Sequence, residues 1–164
     1  MTFKLKPLSE TDDTFVIVLY QNPVIMRHIG AVLTDHQANG LGGKMRAEAD
    51  KNKAIYQVIM TADGKQRVGL LSMHWKAESC HIESGMIILP TFQNQGVCRW
   101  AQMEALHLVK NIFPVKVCTV YISGDNVAAN TSYKKMGFVP VENTSKLTKH
   151  LNLIRWDFNM ELLK

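Results

Sequence analysis

The stretch Phe92–Ala101, FQNQGVCRWA, decides the fold of this chain. Before it, His81–Leu89 (HIESGMIIL) reads as a strand and stops at Pro90. After it, Val97, Ala101, Ala105, Leu108 and Ile112 recur at helical spacing, with Pro114 just past the end. A strand, a short polar loop with a glycine, then a helix is an arrangement that turns free backbone N–H groups toward an anion, usually a phosphate. Gly96 suits it, because the backbone can approach a ligand with no Cβ between them. Loops with one glycine are common, so this stretch alone equally describes an ordinary strand-to-helix connection.

A second signal lies further on, in Asn126–Phe138, NVAANTSYKKMGF. Together the two segments resemble the GNAT superfamily of N-acetyltransferases. That family's acetyl-CoA loop runs Gln/Arg-x-x-Gly-x-Gly/Ala, and Gln93, Gly96 and Cys98 occupy its three positions. Cys98 departs from the pattern, standing where the family prefers Gly or Ala. Asn126, Ala129, Tyr133, Gly137 and Phe138 match the spacing of its second cofactor motif, and the opening FKLKPLSETDD is similar to its first strand and helix start. The resemblance implies an α+β fold: a mixed, mainly antiparallel sheet with helices on both faces, in one domain over residues 1–164. It also implies direct attack of a primary amine on acetyl-CoA, with no acetyl-enzyme and no metal. The turn Asn22-Pro23-Val24-Ile25-Met26 looks most like the RimJ/RimL branch, which acetylates ribosomal-protein N-termini, although small-amine acetyltransferases share the core.

Local patterns agree with that fold class. Phe3–Leu8 alternates apolar and basic residues, as a half-buried strand does. Ser9 and Asp12 form a helix-start box, and the helix runs through Tyr20 to Asn22–Pro23, with a further turn in VIMRHIG. Asp35 predicts the cap of a helix to about Asn52, with Gly40, Gly42 and Gly43 as a possible break or lid. Ala54–Thr61 and Arg67–Trp75 read as a hairpin joined at Ala-Asp-Gly-Lys, and His81–Leu89 extends the meander. Val115–Ser123 reads as a buried strand, Asn126–Met136 as a short helix closed by Gly137, and Phe138–Val141 and Leu151–Leu162 as closing strands.

Composition narrows the function classes. At 164 residues and 46% apolar the chain can bury a core of its own. Cys80, Cys98 and Cys118 show neither zinc nor disulfide spacing, which fits a reducing compartment. No leader or membrane-length apolar run is present, so a cytoplasmic protein, monomeric or homodimeric, is expected. A net charge of +5 suits a polyphosphate ligand, an acidic peptide or RNA. The basic residues are scattered, however, with Lys134–Lys135 and Lys146, Lys149, His150, Arg155 the densest groups, so nucleic acid is a poor fit.

The site expectations follow from chemistry and from the resemblance. The amides of Gln95, Gly96, Val97 and Cys98, with Arg99 beside them, would hold a pyrophosphate at the helix start. Asn126 caps the second helix and, by the resemblance, also contacts the pantetheine arm. Tyr133 is the candidate catalytic group: a phenol of pKa about 10 is neutral at pH 7 and can hydrogen-bond the leaving thiolate, of pKa about 8.5, or give it a proton. The amine must be neutral to attack, at a cost of about 4–5 kcal/mol for a lysine-like amine at pH 7 and about 1–2 for an α-amine. Glu83 is the first candidate for the base, sharing a strand face with His81 and Gly85. A solvated or Lys-paired carboxylate is the plainer alternative, and His81 or water could take the role. By the resemblance, an N–H of Ile87 or Ile88 faces the thioester carbonyl. Cys98 is not expected to carry the acyl group, since it lies at the pyrophosphate end. Trp75, Trp100 and Trp156 read as core anchors. Two other classes remain, a non-catalytic acyl-CoA sensor and a basic RNA-binding protein.

Overall fold

The computed structural model describes residues 2–142 and 152–164. Phe3–Pro7 (β1), Ala54–Thr61 (β2), Arg67–Lys76 (β3), His81–Ile88 (β4), Val117–Ser123 (β5), Val139–Val141 (β6) and Leu153–Asn159 (β7) form one sheet. Its order is β1-β2-β3-β4-β5-β7-β6. Every neighbouring pair is antiparallel except β4 and β5. The β4–β5 crossover is the helix Val97–Ile112 (α5), as a parallel connection requires.

The helices divide between the two faces. On one face α5 lays Val97, Ala101, Ala105, Leu106 and Val109 against Leu71, Met73, Ile82 and Val120, all buried. Leu106 is fully buried there, so Leu106→Ala would cost roughly 2–5 kcal/mol. Val127–Lys135 (α6) joins the same core through Tyr133. On the other face Asp13–Gln21 (α1) and Leu41–Asp50 (α4) bury Val16, Leu19 and Met45 against Tyr56, Val58, Leu70 and Ile87. Pro23–Met26 (α2) and Asp35–Ala38 (α3) are single turns beside α1.

The continuous helix expected from Asp35 to Asn52 is corrected to two, α3 and α4, broken at Gly40 with φ 78°. That left-handed turn is one glycine adopts readily. Gly42 and Gly43 stay helical, and Gly42 has its own reason to lack a side chain. A Cβ there would strike the Asp13 carboxylate, which pairs with Arg46 one turn along α4. The last strand is also shorter than expected: it spans Leu153–Asn159, and Met160–Leu162 form a 3₁₀ turn. Leu151 lies outside the described residues. Placement of β7 between β5 and β6 was not legible from the pattern.

Asp12 pins the start of α1 to the sheet. Fully buried, it accepts hydrogen bonds from Ser9 N (3.0 Å), Lys6 Nζ (3.0 Å) and Arg67 Nε (2.9 Å). Burial pushes its pKa up, but the bonds from Ser9, Lys6 and Arg67 outweigh burial and hold the carboxyl at about 2.

Candidate active site

Strands β4 and β5 pair only over His81–Glu83 and Val117–Thr119. Past that point β4 stays with β3 to Ile88 and β5 stays with β7 to Ser123. The edges Ser84–Ile88 and Val120–Ser123 therefore face each other across a gap. Backbone alternation settles what β4 offers to it. Leu89 N donates to Val68 O, and the Ile87 carbonyl abuts Gly69, so odd-numbered residues of β4 turn their amides toward β3. Ser84, Met86 and Ile88 turn theirs into the gap. Of the pair Ile87 and Ile88, only Ile88 thus presents its N–H there. The Ile87 amide is engaged with β3, and its side chain is buried under α1 and α4.

The loop at the mouth of this gap has the expected form. Asn94 (φ 60°) and Gly96 (φ 78°) are both left-handed, and α5 begins at Val97 with no side chain capping it. The first amides of any α-helix lack partners within the helix, so those of Val97, Cys98 and Arg99 are open to an anion. A Cβ at Gly96 would meet nothing within 4 Å, so the outer face of the loop is free space. Gln93 and Gln95 hold the loop itself: Gln93 Nε2 donates to Ile88 O (3.1 Å) and Gln95 Nε2 to Thr91 O (2.8 Å). Arg99 is exposed on the first turn.

Cys98 does not obstruct the loop. Its thiol turns inward against Ser132 and Tyr133, and burial pushes its pKa up against their hydrogen bonds. It neighbours the Tyr133 hydroxyl as well as the start of α5. Burial keeps it a thiol rather than a thiolate, which still argues against an acyl carrier.

Tyr133 is buried, its ring edge-on to Phe138 at 5.0 Å between centroids. Its hydroxyl donates to Gln102 Oε1 (3.0 Å), which also accepts from Ser84 Oγ (3.0 Å). Burial first, then the Cys98 and Cys118 thiols, raise its pKa well above the ordinary tyrosine value. The hydroxyl stands where β4 and β5 begin to part, beside Ser84.

Glu83 points the other way. It lies on the α1/α4 face, half-exposed, with Lys76 Nζ 3.5 Å from its carboxylate. Its row continues across the sheet through His74 on one side and Thr119 and Asp157 on the other. Thr119 Oγ1 donates to Asp157 Oδ1 (2.8 Å), and Arg155 grips both Asp157 oxygens (2.9 and 2.7 Å). His81 sits one register further from the gap, opposite Lys76 and Val117.

Asn126 caps α6: its Oδ1 accepts from Ala129 N (3.1 Å), and its Nδ2 has no partner among the described residues. Asn130 was not singled out by sequence reasoning, yet it ties three elements. Its Nδ2 donates to Ser123 O and Asn126 O, and its Oδ1 accepts from Trp156 Nε1 (2.9 Å). Trp75 stacks on Phe113 and Trp100 packs by Phe3, so the three tryptophans are anchors. Gln102 and Ser84 were also missed. The available signal was an amide inside the buried stripe of α5.

The sequence profile described as an acetyltransferase (GNAT) domain matches residues 3–139, most of the chain. The chain belongs to the GNAT acetyltransferase family. As a GNAT protein it is an N-acetyltransferase, with acetyl-CoA as its acetyl donor. Solved structures agree on the fold. Spermidine N-acetyltransferase from Vibrio cholerae, in complex with CoA and spermine, superposes with a TM-score of 0.83 at 19% identity, covering 97% of this chain and 96% of that one. RimL, a ribosomal-protein α-N-acetyltransferase solved with CoA, gives 0.82 at 15%, covering 97% and 94%. A domain from Methanocaldococcus jannaschii gives 0.77 at 14%, covering 96% and 98%. No curated protein matches the sequence. The GNAT donor suits the geometry: a left-handed loop, an uncapped helix start and two unpaired strand edges meet at one gap. Among the described residues no helix is long and apolar enough to cross a membrane, and no cluster could hold a metal ion. A cavity of about 590 Å³ lies elsewhere, between the end of β1, the start of β2, α4 and the end of α5, and includes none of these groups.

Proposed function

We propose that the chain transfers acetyl from acetyl-CoA to the single primary amine of a peptide N-terminus or a small monoamine. The observation that carries this reading is the parting of β4 and β5 beyond Glu83–Thr119, with Glu83 on one face and Tyr133 behind the other. The amides of Gln95–Arg99 and the Arg99 guanidinium hold the pyrophosphate, helped by the dipole of α5. Asn126 Nδ2 and the open edge of β4 hold the pantetheine arm. The Ile88 N–H stabilises negative charge on the thioester oxygen. Glu83, directly or through water, takes the proton of the incoming amine, and Tyr133 gives one to the departing thiolate.

The acceptor class follows from charge. A polyamine carries several ammonium groups and needs carboxylates left free to receive them. On the acceptor face Glu83 is paired with Lys76, and Asp157 with Arg155. That leaves no surplus negative charge in this row. Release of CoA is the test, with N-terminal peptides, simple monoamines and spermidine as acceptors. A higher kcat/KM for a peptide or monoamine is the expected result, and a higher value for spermidine overturns the acceptor assignment. A membership in the acetyltransferase family speaks against the RNA-binding alternative. Lys146, Lys149 and His150 of its basic group lie outside the described residues, and Arg155 is committed to Asp157.

A further inference from the structure

Gln102 occupies a place that the helical period assigns to the core. It is fully buried, in line with Ala101, Ala105 and Leu106. A buried amide costs about 1–3 kcal/mol unless its hydrogen bonds are met. Here they are met by three elements that the gap itself separates. Oε1 accepts from Ser84 on β4 and from Tyr133 on α6, and Nε2 approaches Cys118 Sγ on β5 (3.8 Å). One side chain therefore touches both strands that part and the helix that carries the phenol. Packing alone would be served as well by methionine or leucine.

We propose that Gln102 is the positioning residue for Tyr133, fixing its hydroxyl at the narrow end of the β4–β5 gap. The proposal rests on the role of Tyr133 given above. When the thioester C–S bond breaks, its electron pair stays on sulfur and the Tyr133 proton moves there. The amine's proton passes to Glu83 or water, and solvent restores the phenol. For that transfer the O–H turns from Gln102 to the sulfur. Oε1 then still holds the Ser84 hydroxyl, so no buried acceptor is stranded as the proton leaves. The second donor makes the turn inexpensive, and the amide defines where the hydroxyl returns.

The test is a double-mutant cycle of Gln102→Met with Tyr133→Phe, read as kcat, KM for the amine and CoA affinity on the whole chain. Gln102→Met is expected to fold with a lowered melting temperature, because the Ser84 and Tyr133 hydroxyls lose their acceptor, and to bind CoA within about 3-fold, yet to lose about 10-fold or more in kcat when assayed where it is fully folded. On a Tyr133→Phe background the same change should cost less than about 2-fold, because the hydroxyl it positions is gone. Gln102→Leu repeats the cycle with a second shape, should methionine disturb the core. Wild-type kcat in a folded Gln102→Met protein overturns the proposal, as do losses that simply multiply. A wild type that turns over while Tyr133→Phe is equally fast removes the role of Tyr133 and this proposal with it. A wild type that releases no CoA with any amine defeats the functional reading instead.

Discussion

Glu83 and Ser84 are neighbours on one strand, yet they enter two polar clusters of opposite character. Ser84 joins Gln102, Tyr133, Cys98 and Cys118 on the α5 face, a buried group of neutral donors and acceptors. Glu83 joins Lys76, His74, Thr119, Arg155 and Asp157 on the opposite face, where charges are paired and partly wet. The alternation of a strand produces the split, since adjacent side chains leave on opposite faces. Its consequence is chemical. Burial holds the Tyr133 phenol neutral, whereas the Glu83 carboxylate is half-exposed beside Lys76. In the proposed reaction, a thioester held in the gap would meet Tyr133 from behind and Glu83 from in front.

The strongest way to break this comparison is to prevent the donor from reaching either cluster. Gly96→Glu puts a carboxylate where the proposed site holds the pyrophosphate and forces a side chain onto φ 78°. Calorimetry should show CoA binding lost, while the fold survives with a modestly lower melting temperature, since the backbone strain is about 1–2 kcal/mol. A folded variant with wild-type affinity would remove the loop from the donor site. Its surroundings are open, so steric damage to the core would not explain a loss.

Tyr133→Phe tests the buried cluster alone. It deletes one hydroxyl and leaves the ring on Phe138, so CoA affinity should hold while kcat falls about 10- to 1,000-fold. An unchanged kcat with a verified acceptor would reduce Tyr133 to a core residue. Binding of CoA without transfer to any amine would bring back the sensor reading of the fold.

These clusters differ in how far the sequence revealed them. The form of the loop before α5 was legible because its signal is local: Gly96, a strand before it and a periodic helix after it. Asn126 and Tyr133 were legible through spacing on one short helix. Glu83 could be placed on a face by period two. What could not be read depends on register between distant strands. His74 stands beside Glu83 because of the β3–β4 pairing, and Asp157 joins the row because β7 inserts between β5 and β6. The choice between Ile87 and Ile88 likewise turns on which amides β3 consumes. Gln102 was missed although an amide in an apolar stripe is a readable signal, and its partners come from three elements far apart in sequence.

Glu83→Gln sharpens the wet side of the comparison through pH. The change removes a base but keeps the shape, and the ion pair it breaks is exposed and contributes about 0–1 kcal/mol. At pH 6–7, where the amine is mostly charged, the rate should fall about 10- to 100-fold. The deficit should shrink as pH rises toward the pKa of the amine. Convergence near pH 8 would identify an α-amine, and convergence above about 9.5 a lysine-like amine. A deficit independent of pH would make Glu83 a positioning group, and no deficit would pass the base role to His81 or water.

The smallest effect on turnover is expected from a third carboxylate, Asp12, which contrasts with Glu83 because it is itself fully buried. Its folded pKa is depressed to about 2 by Ser9, Lys6 and Arg67. A depressed carboxylate stabilises the fold fully above its unfolded pKa of about 3.9, and that contribution is lost as pH falls through about 2. A shift of this size corresponds to about 2.5 kcal/mol at neutral pH, or roughly 5–10 °C in melting temperature for a chain of this length. Asp12→Asn should therefore melt lower at pH 7 and lose less stability than wild type between pH 4 and 2. Its kcat at a temperature where it is folded should match wild type, because Asp12 tethers α1 to β1 and β3, away from the gap. A wild-type melting temperature would show that Lys6 and Arg67 recover their hydration at no net cost. A large fall in kcat at full folding would show instead that the start of α1 reaches the acceptor site.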